Sequence, residues 1–208
     1  MSEFRVVERD RKIVREIDRW KVCQGRHLRH LAGFSGQRAC DRRLRKLIST
    51  GYISREKLVY GVAGIYSNTR RASQIATVSK YNPKIRLDNL AHDIAVIETA
   101  IYMNKMGIPY EAMTTEKELH RQDGFGVRKH RPDFIFTKGN KKICVEVELT
   151  LKSKSRFESN IIDNFSKYDM QIWIVSDYNS KIAQILKDNQ TAYPIIEILE
   201  LREVQNNE

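Results

Sequence analysis

A chain of 208 residues with 41% apolar and 30% charged content can form one compact domain or two small ones. No apolar run approaches a membrane span and MSEFRVVERD holds no apolar leader stretch, so a soluble cytoplasmic protein without a membrane partner is expected. Cys23, Cys40 and Cys144 are too few and too widely spaced to suggest a disulfide framework or a zinc knot.

The net charge of +11 is uneven: residues 1–90 hold 21 Lys/Arg against 8 Asp/Glu, residues 91–208 hold 16 against 18. A basic first half predicts a polyanionic partner, most simply nucleic acid, against the plain alternative of a solvated basic surface.

In chain order, VERDRKIVREIDRW (7–20) predicts a helix, with Ile13, Ile17 and Trp20 at helical spacing. RHLRHLA predicts a short second helix stopped by Gly33. His27 and His30, flanked by Arg26 and Arg29, read as surface or phosphate-side groups rather than metal ligands. QRACDRRLRKLISTG (37–51) predicts a third helix with Ala39, Cys40, Leu44, Leu47 and Ile48 inward. Strands are expected at Tyr52–Ile53 and Leu58–Tyr60, with extended chain again at Ile65–Tyr66 and turns at Gly61 and Gly64.

Two short helices joined by a glycine-containing turn, the second rich in Arg and followed by a β-wing, resemble a winged helix-turn-helix. LRKLISTGYISR (44–55) is its most telling phrase. The resemblance implies that the Arg-rich helix enters the major groove of double-stranded DNA. The groove-facing candidates are then Gln37, Arg38, Asp41, Arg42 and Arg45, with Arg55 and Lys57 near phosphate. A winged helix used only for protein contact is the alternative. RRASQIATV (70–78) is expected to leave the wing as a helix, closing a domain over 7–78. Residues 79–88, with Pro83, are expected to be a linker.

A second domain is expected over 89–203. NLAHDIAVIETAIYMNKM (89–106) predicts a helix capped by Asn89, with Leu90, Ile94, Ile97 and Ile101 buried. IPYEAM predicts a short strand, and TTEKELHRQ a helix opened by Thr114 or Thr115. QDGFGVRKH reads as a loop. RPDFIFTKGNKKICVEVELTLKSKSRF (131–157) reads as strand, tight turn, strand and entry to a helix. Alternation puts Glu146 and Glu148 on one face and lets Asp133 meet Glu146 across the two strands. Converging carboxylates suit Mg²⁺ or Mn²⁺, hard cations that take oxygen ligands. A helix through Phe157, Ile161, Ile162 and Phe165, a buried strand QIWIVSD, a helix over 180–187 and a strand YPIIEILEL complete the pattern, with REVQNNE fraying. The order predicts a mixed sheet flanked by helices.

That order, with Pro132-Asp133 and Glu146, resembles the PD-(D/E)XK, restriction-endonuclease-like fold. The resemblance implies metal-assisted phosphodiester hydrolysis. Glu148 stands where the motif has Lys; Lys152, Lys154 or Arg156 is then a candidate for a migrated base. Glu98, Glu111 or Glu116 is a candidate further metal ligand. Three outcomes stay open: an Mg²⁺- or Mn²⁺-dependent endonuclease, a retained scaffold that contacts DNA or protein, or a different α/β fold.

The winged helix, His92 at the opening of a helix, the Pro-Asp strand, EVELTLKS (146–153) and Phe157 together resemble the plasmid replication-relaxation family. The resemblance implies a mobile-element protein acting on plasmid or integrated-element DNA in replication, relaxation and transfer, or transcriptional control. A palindromic target would imply a homodimer. A non-catalytic adaptor recruiting a relaxase or replication protein is the third function considered.

Overall fold

A computed structural model describes residues 4–79, 85–124, 126–151 and 153–206. The chain divides into two units, Met1–Ile97 and Glu98–Glu208. Lys152 and residues 80–84 of the expected linker lie outside the described residues. Among those described, no helix is long and apolar enough to cross a membrane.

In the first unit, α1 (Glu8–Trp20) begins where Asp10 reaches back to accept the Val7 backbone N–H at 2.8 Å. It buries Ile13, Val14, Ile17 and Trp20. Lys21, at φ 64, turns the chain into β1 (Cys23–Gln24). Next come α2 (Gly25–Leu31) and, past Gly33 at φ 65, α3 (Gln37–Ser49). Gly33 suits this helix end because glycine takes positive φ without a Cβ clash. The strands β2 (Ile53–Glu56) and β3 (Ile65–Asn68) follow, and the antiparallel sheet runs β1-β3-β2.

Helix–strand–helix–helix followed by a two-stranded wing is a winged helix-turn-helix. Three details correct the expectations. Leu58 and Tyr60 form no strand; they lie in the wing loop between β2 and β3, where Gly61 at φ 78 breaks extended geometry. The segment 70–78 supplies only a 3₁₀ turn, Arg70–Gln74, capped by Thr69. His27 is not at the surface: it is fully buried, its Nδ1 accepting the Gln24 backbone N–H at 3.2 Å.

A 3₁₀ turn at Leu87–Asn89 leads into α4 (Leu90–Lys105). Leu90 packs in a cluster with Val22 and Ile65, flanked by Leu58 and Ile94.

The second unit departs from expectation before its central hairpin. IPYEAM forms a 3₁₀ turn, Tyr110–Ala112, and the strand β4 (Thr114–Thr115) comes just after it. Thr115 then caps α5 (Glu116–Asp123) in a reciprocal pair: Glu118 N–H donates to Thr115 Oγ1 at 3.3 Å, and Thr115 N–H donates to Glu118 Oε2 at 2.7 Å. β5 (Phe134–Lys138) and β6 (Lys141–Glu148) form the expected hairpin, with Gly139 at φ 60 in the tight turn. α6 (Lys154–Phe165), β7 (Met170–Val175), α7 (Lys181–Gln190) and β8 (Ile196–Glu200) follow. Residues 201–205 form a short helix, α8 (Leu201–Gln205), where a fraying tail was expected.

The sheet order is β4-β5-β6-β7-β8, antiparallel as far as β6 and parallel beyond it. Parallel neighbours need crossovers, and two successive right-handed crossovers in one direction put both helices on one face. Phe157 and Ile161 of α6 and Ile182 and Leu186 of α7 accordingly pack with Trp173, Val175 and Ile196. Phe157 meets Trp173 edge-on at 4.9 Å. This is a restriction-endonuclease-like mixed sheet flanked by helices.

Candidate functional site

Two surfaces carry the residues singled out from the sequence, one in each unit. On α3, Cys40, Leu44 and Leu47 are buried at helical spacing, which fixes the rotation of the helix. Arg38, Arg42 and Arg45, at i, i+4 and i+7, are exposed on another face. No carboxylate among the described residues pairs with Arg38 or Arg42; Arg45 Nε makes a long, 3.4 Å bond to the Asp41 carbonyl. Gln37 and Asp41 are half-buried and bonded together, Gln37 Nε2 donating to Asp41 Oδ1 at 2.7 Å.

The neighbouring Arg43 behaves differently. Its Nε donates to Oδ1 of the fully buried Asp10 at 2.5 Å, its Nη2 bonds Oδ2, and its guanidinium lies over Phe4. One arginine of α3 therefore anchors the helix to α1, while its neighbours point to solvent. The sequence did not separate these roles, because Asp10 lies far from Arg43 along the chain.

In the wing, Arg55 and Lys57 are exposed. Arg55 lies over the Tyr66 ring at 5.8 Å, and Lys57 over the Tyr60 ring at 5.3 Å. Tyr60 is 95% exposed at the loop tip. The wing thus offers two cations and an uncovered ring.

In the second unit, the register pairs Phe134 with Val145, so Asp133 falls opposite Glu146. Asp133 Oδ2 accepts the Val147 backbone N–H at 2.7 Å, and its carbonyl accepts the Glu116 N–H at 2.7 Å. The convergence of Asp133 and Glu146 rests on strand alternation and is present.

The surroundings of Glu146 were not legible. Its Oε1 accepts from His130 Nε2 at 2.6 Å and from Asn164 Nδ2 of α6 at 2.8 Å. Burial, and then the Asp133 charge, hold the Glu146 pKa above the usual carboxylate range against the opposing pull of His130. Burial by itself would lower the His130 pKa, but the bond to Glu146 and its charge outweigh that and raise it. A hydrogen-bonding imidazole against Glu146 is thus supplied by the chain itself. His130 carried one signal in sequence, the basic run RKHR before Pro132-Asp133. Asn164 carried none, being brought in by a crossover helix.

Of the other acids, Glu148 shares the Glu146 face at the end of β6 and is half-buried. Glu116 opens α5 beside Asp133. Glu98 is buried on α4 and its Oε2 accepts from Gln205 Nε2 at 2.8 Å. Glu111 is exposed in the 3₁₀ turn. Lys154 pairs with Glu158 at 3.8 Å. No group of three or more His, Cys, Asp or Glu side chains with metal-site geometry occurs among the described residues.

Fold and surfaces define the class: a winged helix-turn-helix unit joined in one chain to a mixed sheet of the restriction-endonuclease type, an architecture consistent with DNA-binding and nuclease-like proteins. Comparison with protein-family models, with curated proteins and with solved structures gives no match.

Proposed function

We propose that this chain is a double-stranded-DNA-binding protein of a plasmid or integrated element, in which α3 reads the major groove. The reading rests on one observation above others. Arg38, Arg42 and Arg45 form an exposed stripe on the helix that winged-helix proteins present to DNA, while Arg43 holds that helix in place. Arg fits both guanine edges and phosphates, so the stripe suits sequence-specific and backbone contacts alike. Arg55 and Lys57 on the wing would meet phosphate. The resemblance of EVELTLKS and the Pro-Asp strand to the plasmid replication-relaxation family supports a role in replication, relaxation and transfer, or transcriptional control.

A second reading, an Mg²⁺- or Mn²⁺-dependent endonuclease, draws support from Asp133 opposite Glu146. Those two carboxylates would hold the ion, which would supply an activated water and charge stabilisation. Against it, the ion would compete with His130 and Asn164 for Glu146, and Glu148 stands where a cation is wanted.

One assay addresses both: binding and cleavage of element-derived duplex DNA, with and without Mn²⁺. Arg42→Ala and Arg45→Ala should each weaken binding and lower the salt slope by about 1. Unchanged binding in both removes α3 from the interface. Cleavage that disappears in Asp133→Ala and Glu146→Ala while binding survives would replace the first reading with the second.

A further inference from the structure

A cavity of about 510 Å³ opens on the second unit, lined by α5, the segment 127–131 and the start of α6. Its floor is built rather than incidental. Arg131 is nine-tenths buried and held on all sides: Nε donates to Asp123 Oδ2 at 2.6 Å, Nη1 to the Lys129 carbonyl at 3.0 Å and Nη2 to the Val127 carbonyl at 3.0 Å. Lys129 takes the other oxygen of Asp123 at 2.5 Å. Two cations therefore share one carboxylate, and a positive charge is left over.

The other lining cations, Arg128 and Arg156, are exposed and have no carboxylate partner among the described residues. Asn160, one turn beyond Arg156 on α6, adds an amide at the same wall. Glu116 is the one acid in the lining. The balance favours an anion.

The lining also says which anion. It contains no Phe, Tyr or Trp ring, and Val127 is its one apolar side chain. Its rings are the His120 and His130 imidazoles, and His130 is bonded to Glu146, so a nucleobase would lack the broad Phe, Tyr or Trp platform that single-strand binding and nucleotide pockets use. Guanidinium groups instead grip phosphate oxygens in paired, charge-assisted bonds.

We propose that this cleft binds a backbone phosphate of duplex DNA through Arg128 and Arg156, with Asn160 as an additional donor. It gives the second unit a sequence-independent hold on DNA, separate from α3. The proposal rests on the reading of the chain as a duplex-binding protein.

The test uses the full chain and two short labelled duplexes of unrelated sequence, with fluorescence anisotropy across a salt series. Arg128→Ala/Arg156→Ala should weaken both duplexes about tenfold and flatten the salt slope by about 1, the value for one phosphate contact. Arg128→Lys/Arg156→Lys should restore most of the slope, because it keeps the charge. An affinity and slope unchanged by the alanine pair overturn the proposal. So does a slope that the lysine pair fails to restore, which would mark a folding effect. Inorganic phosphate, titrated into the full chain and followed by NMR, separates the sources: phosphate binding lost in the alanine pair, with DNA affinity unchanged, makes this a small-anion site and overturns the DNA assignment. Arg38→Ala/Arg42→Ala is run alongside. Loss in that pair with none in the cleft pair sinks the cleft alone; the reverse sinks the α3 reading alone; a wild-type chain that binds no duplex sinks both.

Discussion

Asp10 and Arg43 join the start of α1 to the middle of α3, with the Asp10 carboxylate fully buried and receiving two guanidinium nitrogens. The same carboxylate caps α1 through the Val7 N–H. Removing it leaves an arginine partly buried without its counter-ion and a helix end without an acceptor, a costly combination. Asp10→Ala is therefore expected to destabilise the first unit by about 3 kcal/mol. Denaturant unfolding followed through Trp20, in a background where Trp173 is replaced by Phe, measures it.

The wing offers a test that separates stability from binding. A Cβ at Gly64 would sit 2.6 Å from Arg55 Nε, so Gly64→Ala must push the Arg55 side chain away. That side chain is exposed and flexible, and the stability change should stay within about 0.5 kcal/mol. If Arg55 meets phosphate, Gly64→Ala reproduces the DNA-affinity loss of Arg55→Ala without touching a charge. Anisotropy on both variants and the double variant gives the answer; additive losses would disprove the shared cause.

Tyr60 is nearly fully exposed beside Lys57 at the wing tip. It makes almost no contribution to packing, so Tyr60→Ala should leave the melting temperature unchanged. A duplex affinity lowered several-fold would place the ring against DNA; an unchanged affinity would place the wing tip in solvent.

The His130–Glu146 pair sets a pH dependence with a defined sign. His130 carries a pKa above its ordinary value of 6.5 in the folded chain. Its contribution to stability is then complete below 6.5 and is lost as pH rises through the folded value. Glu146, also raised above its ordinary 4.5, acts in the same direction, since burial favours its protonated form. The second unit should lose stability as pH climbs from 6.5 through the folded value of His130. His130→Gln should flatten that loss. Denaturation curves read through Trp173 at several pH values check it, and an equal slope in both proteins would refute it.

The seat of Asn164 depends on α6 packing through Phe157 and Ile161 against Trp173. Phe157→Ala should cost about 3–5 kcal/mol by the cavity it leaves. Asn164→Ala removes only the donor to Glu146 and should cost about 1–2 kcal/mol. A larger loss for Asn164→Ala than for Phe157→Ala would show that the polar network, not the apolar seat, fixes the helix.

Much was legible in the sequence because it depends on local spacing. Helical periodicity located α1, α3 and α6, and alternation with a Gly-Asn turn located β5 and β6, hence Asp133 opposite Glu146. Segments lacking a period are not legible in this way. Strand β1 has two residues, and it exists because β3 offers it a partner. Leu58 and Tyr60 have strand-type side chains but sit in a loop that glycine geometry imposes. His27 looks like a surface residue among arginines, and packing alone buries it.

What the sequence determined by itself was the fold class, the charge division and the residue types on each face, since backbone periodicity dictates which side chains share a face. What only the tertiary structure decided was pairing between distant residues. Arg43 anchors while Arg42 faces solvent because Asp10 lies against one rotation of α3. Glu146 meets His130 and Asn164 because a loop and a crossover helix converge on the same face of β6. Such encounters are fixed by packing in three dimensions, and no spacing along the chain encodes them.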